Sequence, residues 1–324
     1  MKVSRIGFGG IPIQHLNQNE ADEVIHKCLE MDINFFDTAR GYTESEKLIG
    51  SALKGRREGI YIATKSGVRH KDGMFSEVET SLKNLQTDYI DLYQLHNIGS
   101  VEEFEKAIGE DGAYKALKQL KAEGVIKHIG ITSHKTKIIE KAIESDLFET
   151  VQFPFNIVET EAGDVFKKAF GKNIGTIAMK PLAGGAIRDG RKALKFLLGY
   201  PYLNVTIPGM DSVEQVIENA GAADDIKLTD EEKEELMATA KELGQSFCRR
   251  CGYCLPCSEG IDIPFMFLVE AYYSRYELKD WAKNRYFSQP KNASACIQCG
   301  ICETRCPYEL PIREMMNKVK NIFE

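Results

Sequence analysis

Four polar side chains follow three apolar runs of the chain, and together they could protonate an oxygen atom. Asp37 lies at the end of the strand-like run at 34–38 and Tyr42 follows that run, Lys65 closes the run at 61–65, and His96 closes the run at 90–96. A phenol has a pKa of about 10, but a nearby ammonium lowers that pKa, and a carboxylate holds the ammonium in place. A histidine can orient a carbonyl oxygen. The set therefore suits protonation of an alkoxide as a hydride reaches the carbon.

Eight of the nine cysteines lie after residue 247, in two runs of four. The second run has the C-x-x-C-x-x-C-x-x-x-C-P spacing of bacterial ferredoxins, in which the fourth cysteine binds the other cluster. We therefore predict two [4Fe–4S] clusters. One set of ligands is Cys248, Cys251, Cys254 and Cys306, and the other is Cys257, Cys296, Cys299 and Cys302.

The first run departs from this pattern, which leaves the exchange of the fourth ligands open. Two residues, not three, precede Cys257, and Ser258 stands where proline is usual. Structural zinc is the alternative, but zinc sites favour isolated C-x-x-C pairs, often with histidine, and no histidine is near. Cys28 lies on the apolar face of a helical pattern, where we expect a small buried core residue.

The motif FDTAxxYxxSE at 36–46, followed by ATK at 63–65 and LHN at 95–97, resembles the aldo-keto reductase family. The match continues to about residue 220. The resemblance implies that Asp37, Tyr42, Lys65 and His96 form the catalytic tetrad. It implies reversible reduction of a carbonyl to an alcohol, with Tyr42 as the acid.

The same resemblance implies where a nicotinamide cofactor binds. Ser133 and Gln152 would hold the nicotinamide amide, and a strand-end cap is the less favoured interpretation of Ser133. A glycine-rich loop before a helix N-terminus suits a pyrophosphate, although its glycines also fit ordinary turns. The further predicted contacts are Lys180, Pro181, Leu182, Gly184, Pro208, Gly209 and Met210, with Gln215, Glu218 and Asn219 near the adenosine.

Departures from the family pattern bear on which cofactor binds. Met179 stands where the family often has a stacking tyrosine, and Lys180 replaces a common serine. No cation lies near Met210 and Asp211, and Glu214 would repel a 2′-phosphate. We therefore expect NAD(H) rather than NADP(H), and the sequence leaves NADP(H) and FMN or FAD open.

Strand-like and helical runs alternate eight times before residue 220. The predicted strands are 4–9, 34–38, 61–65, 90–96, 128–133, 150–155, 175–180 and 204–208. The predicted helices are 20–31, 45–54, 75–86, 101–122, 135–145, 160–170, 190–199 and 212–220. Eight such units predict a (β/α)8 TIM barrel with its active site at the carboxyl ends of the strands. A doubly wound sheet is the alternative, but it rarely needs eight units.

Three domains are predicted. The barrel is assigned to 1–220, a connector helix to 221–246, and a small α-helical ferredoxin-like domain to 247–324. A capping box of Thr229 and Glu232 begins the connector helix. The apolar stretch from Ile261 to Trp281 is expected to pack around the clusters, or else to dock a redox partner protein.

Composition narrows the class of protein. The chain has 324 residues, 43% of them hydrophobic, and a formal charge of −6. The charge argues against nucleic acid as a partner. No apolar run is long enough to span a membrane, and the first residues lack a signal-peptide pattern. Cysteines spaced for metal favour a reducing cytoplasm.

The expected protein is an iron–sulfur oxidoreductase that acts on a small carbonyl or alcohol. Two alternatives remain. One is a flavin- or ferredoxin-coupled electron-transfer protein, because hydride transfer moves two electrons and each cluster passes one. The other is a regulatory barrel whose clusters are only structural, which the intact tetrad argues against.

Overall fold

The computed structural model describes residues 1–324 and divides into two compact units. The first unit comprises residues 1–182 and 189–228. The second comprises residues 183–188 and 229–324. No helix in either unit is both long enough and apolar enough to cross a membrane.

The first unit is built on eight parallel strands that follow one another in sequence order around a barrel. The strands are β1 (Phe8–Gly9), β2 (Phe35–Asp37), β3 (Tyr61–Ser66), β4 (Ile90–Leu95), β5 (Ile126–Thr132), β6 (Thr150–Pro154), β7 (Gly175–Met179) and β8 (Val205–Ile207). Single bridges from Ile6 to Thr206 and from Gly9 to Gly209 join the first and last strands. The predicted TIM barrel is confirmed, although β1 is shorter than predicted because its first residues pair only at Ile6.

Helices connect the strands on the outside of the barrel. They are α1 (Gln18–Glu30), α2 (Ser45–Ala52), α3 (Lys71–Leu85), α4 (Val101–Ile108), α5 (Ala113–Ala122), α6 (Thr136–Glu144), α7 (Ala162–Gly171), α8 (Gly190–Leu198) and α9 (Val213–Ala220). The single helix predicted over 101–122 is wrong, because the chain breaks into α4 and α5 between Gly109 and Gly112. A side chain at Gly112 would place Cβ 2.3 Å from the Ala107 carbonyl oxygen, so this close approach requires glycine.

Alternation along the strands separates two apolar layers. Phe35, Ala63 and Leu92 belong to a small buried cluster that fills the barrel. Phe36 and Tyr93 join the larger core between the strands and the helices, which also contains the fully buried Cys28, as predicted. Asp37, Lys65 and Gln94 come two residues after the small cluster on β2, β3 and β4. They therefore share its inner face, at the carboxyl ends of the strands.

The second unit is helical. Its helices are α10 (Asp230–Gly244), α11 (Ile263–Ser274), α12 (Lys279–Phe287), α13 (Ile301–Thr304) and α14 (Ile312–Phe323). The predicted capping box of Thr229 and Glu232 is present at the start of α10. The ring of Tyr286 on α12 stacks on that of Phe323 on α14, with the centroids 4.4 Å apart. The segment 183–188 also belongs here, since the Gly184 carbonyl accepts a hydrogen bond from Arg275 Nε at 3.0 Å.

Candidate active site

A buried ion pair lies between β2 and β3. Lys65 Nζ donates to Asp37 Oδ1 and, at 2.8 Å, to the Thr38 carbonyl oxygen. Lys65 is 1% exposed and Asp37 is 3% exposed. Burial raises the pKa of Asp37 and lowers the pKa of Lys65, and the attraction between the two groups opposes both changes. The pair holds an amine at one place inside the barrel.

Tyr42 and His96 lie beside this pair. Lys65 Nζ is 5.2 Å from the centroid of the Tyr42 ring. The Tyr42 and His96 rings meet edge to face, with their centroids 5.9 Å apart and their planes at 86°. Both side chains are half-buried, whereas Asp37 and Lys65 are buried. The structure thus brings together all four side chains that the sequence singles out, with the phenol and the imidazole on the more accessible side.

Backbone hydrogen bonds shape the loop that carries Tyr42. Tyr42 N donates to the Ala39 carbonyl at 3.0 Å, and Ser45 N donates to the Tyr42 carbonyl at 2.7 Å. The Ser45 hydroxyl lies 2.8 Å from Thr38 Oγ1 and donates to the Gly10 carbonyl at 2.7 Å. The loop is closed on both sides of the phenol, which limits the positions that the ring can adopt.

Gln94 is a member of the site that the sequence reasoning missed. It is fully buried on β4, and its Nε2 donates to Asp37 Oδ2 at 3.2 Å. A hydrogen bond to the charged carboxylate favours that form. The available signal was the alternation of β4, which puts Gln94 on the same face as Leu92, two residues before the predicted His96.

The two predicted nicotinamide residues occupy the ends of β5 and β6. Ser133 follows β5, where its hydroxyl donates to the Ile98 carbonyl at 2.7 Å and accepts from Lys135 N at 2.9 Å. Gln152 is 1% exposed on β6, and its Oε1 is buried without a hydrogen-bond partner. Its hydrogen bond to Asp37 lowers the pKa of that carboxyl, against the larger, opposite effect of burial. A buried acceptor with no partner fits the amino group of a carboxamide.

The other predicted cofactor residues lie at the ends of β7 and β8 and along α9. Met210 is fully buried in the core. Gln215 Oε1 accepts from Asp211 N at 2.9 Å. The residues that follow β7 or β8 in the chain are Lys180, Pro181, Leu182, Gly184, Pro208 and Gly209.

The predicted adenosine residues adjoin the start of α8. Glu218 Oε1 accepts from Gly190 N at 2.9 Å. Asn219 is 2% exposed, and its Oδ1 would be 2.7 Å from a Cβ placed on Gly190. The next residue, Arg191, has a guanidinium carbon 3.9 Å from a Cβ placed on Gly221. The sequence analysis considered the loop at Met210 and Asp211 together with Lys180, and it did not identify Arg191.

The cysteines of the second unit line two cavities. One is bounded by Cys248, Cys251, Cys254 and Cys306. The other, of about 250 Å³, is bounded by Cys254, Cys257, Cys296, Cys299 and Cys302. Apart from Cys254, which lines both, this is the division that the spacing predicts. No group of three or more histidine, cysteine, aspartate or glutamate side chains is arranged to hold a single metal ion. The cavity of about 250 Å³, with its five cysteines, fits an iron–sulfur cluster, whereas the first cavity is only about 20 Å³.

Comparison with known families matches both units. The aldo/keto reductase family matches residues 5–193. A 4Fe-4S dicluster domain matches residues 247–311.

Individual relatives match most of the chain. An oxidoreductase of Bacillus subtilis named YqkF is 26% identical over 295 residues, which cover 75% of this chain and 94% of that protein. L-galactose dehydrogenase of Arabidopsis thaliana is 29% identical, over 73% of this chain and 89% of that protein. Among solved structures, the holo form of an aldo-keto reductase from Bacillus halodurans superimposes with a TM-score of 0.64. It is 27% identical and covers 73% of this chain and 92% of its own.

Proposed function

Because the chain belongs to the aldo/keto reductase family of oxidoreductases and carries a 4Fe-4S dicluster domain, we propose that it reversibly reduces a small aldehyde or ketone to an alcohol with a nicotinamide cofactor. The observation that carries this proposal is the convergence of Tyr42, His96, Lys65 and Asp37. When bound, the nicotinamide supplies the hydride to the carbonyl carbon or removes it in the reverse direction.

The four side chains divide the work on the oxygen atom. His96 orients the carbonyl oxygen towards the phenol of Tyr42. Tyr42 donates its proton to that oxygen as negative charge develops there. The positive charge of the Lys65 ammonium stabilises the negative charge that develops on the phenol oxygen, and Asp37 keeps that ammonium charged and in position. Gln94 helps Asp37 to remain a carboxylate. In the reverse direction the phenolate removes the proton from the alcohol.

Replacing the phenol tests the assignment. Tyr42→Phe keeps the ring but removes the proton, so carbonyl reduction should be lost while the fold and the iron content remain. Tyr114→Phe is the matched control, because it removes a tyrosine hydroxyl that bonds to the Leu147 carbonyl at 3.0 Å, in a different part of the barrel. The assay is cofactor oxidation against a panel of aldehydes and ketones. Wild-type rates in Tyr42→Phe would contradict the proposal.

We extend the proposal to the cysteine-rich unit, which would hold two [4Fe–4S] clusters. The ligands are Cys248, Cys251, Cys254 and Cys306 for one cluster, and Cys257, Cys296, Cys299 and Cys302 for the other. The clusters would exchange single electrons with a redox partner protein. All nine cysteines are free of disulfides, which supports a reducing, cytoplasmic setting. Anaerobic purification with iron, sulfide and bound-cofactor analysis tests this arrangement and would also detect a flavin.

We also propose that NAD(H) is preferred over NADP(H). Glu214 and Glu218 lie on α9, and Asp211 precedes it, so a 2′-phosphate there would meet negative charge. Asp211 is itself 3.6 Å from His15. Arg191 is a cation that follows Gly190, whose backbone N bonds to Glu218, so its guanidinium would favour a 2′-phosphate and oppose the carboxylates. The preference must therefore be measured with and without it. Titration of both cofactors into wild-type protein and Arg191→Gln decides it.

A further inference from the structure

Glu46 is a buried carboxylate on α2 that none of the proposed chemistry uses. It is 1% exposed. Its Oε1 accepts from Thr64 Oγ1 at 2.8 Å and from Ser81 Oγ at 2.7 Å. Its Oε2 accepts from Arg40 Nη1 at 2.9 Å and from Asn84 Nδ2 at 3.1 Å. Four donors, from the Tyr42 loop, β3 and α3, meet at one side chain.

Arg40 extends this network to a second carboxylate. Its Nε lies 3.6 Å from Glu77 Oε2, and that same oxygen accepts from Ser66 Oγ at 2.7 Å. The Ser66 carbonyl accepts from His96 N at 2.9 Å. Glu46 therefore bonds to Thr64 and Glu77 bonds to Ser66, the two neighbours of Lys65 on β3. Ser66 also bonds to the backbone of His96.

The same set is tied to the Tyr42 loop. Arg40 lies two residues before Tyr42, and its backbone N donates to the Lys65 carbonyl at 3.0 Å. A guanidinium held between two carboxylates cannot move without leaving a buried charge unpaired, which is strongly unfavourable. The loop that carries the phenol is thus attached from outside the barrel to the strand that carries the ammonium.

We propose that Glu46, Arg40 and Glu77 form a clamp that positions Tyr42 relative to Lys65 and His96. The clamp residues are positioning residues, since they lie on the outer side of β3 and reach the reaction only through the loop and the strand. This inference rests on the proposed role of Tyr42 as the acid.

Electrostatics supports the same assignment. Burial lowers the pKa of Lys65, and the negative charges of Asp37 and Glu46 oppose that change. Both carboxylates therefore favour the charged form of Lys65. Glu46 lies on the outer side of β3, and Asp37 lies inside the barrel.

The test is Glu46→Gln, which keeps the shape of the side chain and removes its charge. The matched control is Asp91→Asn. Asp91 is 6% exposed and pairs with Arg57 at 2.6 Å, and it also accepts from Ile62 N at 2.9 Å, at the opposite end of β3. Each variant removes one carboxylate from a partly buried arginine, Arg40 keeping only Glu77 at 3.6 Å, but only Glu46→Gln touches the Tyr42 loop.

Two measurements separate a clamp from a purely structural pair. In Glu46→Gln, kcat should fall by about 10- to 100-fold, the range expected for a misplacement of about 1 Å, with the KM of the cofactor within about twofold. Hydrogen–deuterium exchange should quicken over residues 38–46, where Arg40 N would lose its protected bond to Lys65. Asp91→Asn should keep both kcat and the exchange of that segment.

An unchanged kcat and unchanged exchange in Glu46→Gln would overturn the clamp, and so would equal losses of kcat in the two variants. The exchange measurement needs no turnover. If the wild-type protein reduces no carbonyl, the proposed function fails, while exchange still decides whether the clamp holds the loop.

Discussion

Removal of the Lys65 ammonium is the most informative single change, because its effect on the free energy of unfolding can be measured apart from its effect on carbonyl reduction. In Lys65→Met the buried Asp37 loses its ion-pair partner and keeps only amide donors, including Gln94 at 3.2 Å. Breaking a buried ion pair costs about 3–5 kcal/mol. Because the amides still solvate Asp37, we expect a loss near the lower limit, about 3 kcal/mol at pH 7.

The loss should depend on pH with a definite sign. Burial raises the pKa of Asp37 above its ordinary 3.8 in the folded protein, and the loss of the ammonium raises it further. Between the unfolded and folded pKa values, the folded protein binds more protons than the unfolded chain, so its stability falls as the pH rises. Lys65→Met should therefore recover stability relative to wild type as the pH falls from 7 towards 4.

A double mutant completes the test. Asp37→Asn with Lys65→Met removes both charges of the ion pair, so it should be more stable at pH 7 than Lys65→Met, yet remain inactive. Urea unfolding followed by circular dichroism measures stability, and cluster absorbance follows the second unit separately. Lys195→Met is the control. Lys195 is 7% exposed, but Asp225, 4.0 Å away, is 65% exposed, so its removal leaves no buried carboxylate.

Two results would refute this reasoning. One is a loss below about 1 kcal/mol in Lys65→Met at pH 7, which is the range of surface pairs. The other is strict additivity in the double mutant, since coupled neighbours deviate from it by about 0.5–3 kcal/mol.

Three further predictions concern the rest of the molecule. Burial raises the pKa of Glu149, but hydrogen bonds from His128, Lys121 and Ile129 N outweigh it and bring the pKa to about 2. The stability that this provides is present above pH 4.5 and is lost as the pH falls towards 2. In Glu149→Gln the free energy of unfolding should therefore fall less steeply over that pH range than in wild type. Because Glu149 is 37% exposed, Glu149→Gln should lower the free energy of unfolding at pH 7 by only about 1 kcal/mol. An unchanged dependence of stability on pH between 4.5 and 2 would contradict this. Iron and sulfide analysis should give about eight of each per chain, and Cys306→Ser should lose about half of both; stoichiometric zinc would refute the clusters. NADH should bind more tightly than NADPH in direct titrations. If NADPH binds more tightly and Arg191→Gln abolishes the difference, Arg191 binds the 2′-phosphate.

Much of the fold was predictable because its signals are local. Apolar runs such as 61–65 and 90–96 are buried on both faces in a parallel barrel, so they stand out in the sequence. The capping box at Thr229 involves residues three apart and was also predictable. The break between α4 and α5 was not, since it depends on how closely the chain approaches Ala107 at Gly112.

The residues of the site also fall into those that the sequence indicates and those that only the fold reveals. Asp37, Tyr42, Lys65 and His96 were identifiable because they are polar residues at the ends of apolar runs or shortly after them, within motifs that resemble the aldo-keto reductase family. Gln94 lies within an apolar run, where alternation places it on the inner face, but only the fold shows that its side chain reaches Asp37. The same holds for Arg191, whose position beside α9 follows from the packing of α8.

The sequence alone predicted eight alternating strands and helices, the four side chains that cluster and a grouping of the cysteines, because each prediction rests on spacing along the chain. Only the tertiary structure showed which donors meet Glu46 and that Arg40 pairs with it. Glu46 is 18 residues from Thr64 and 35 from Ser81, yet all three share hydrogen bonds. Buried polar groups must find partners wherever the fold brings donors and acceptors together. Such long-range pairing carries no periodicity that a sequence can display.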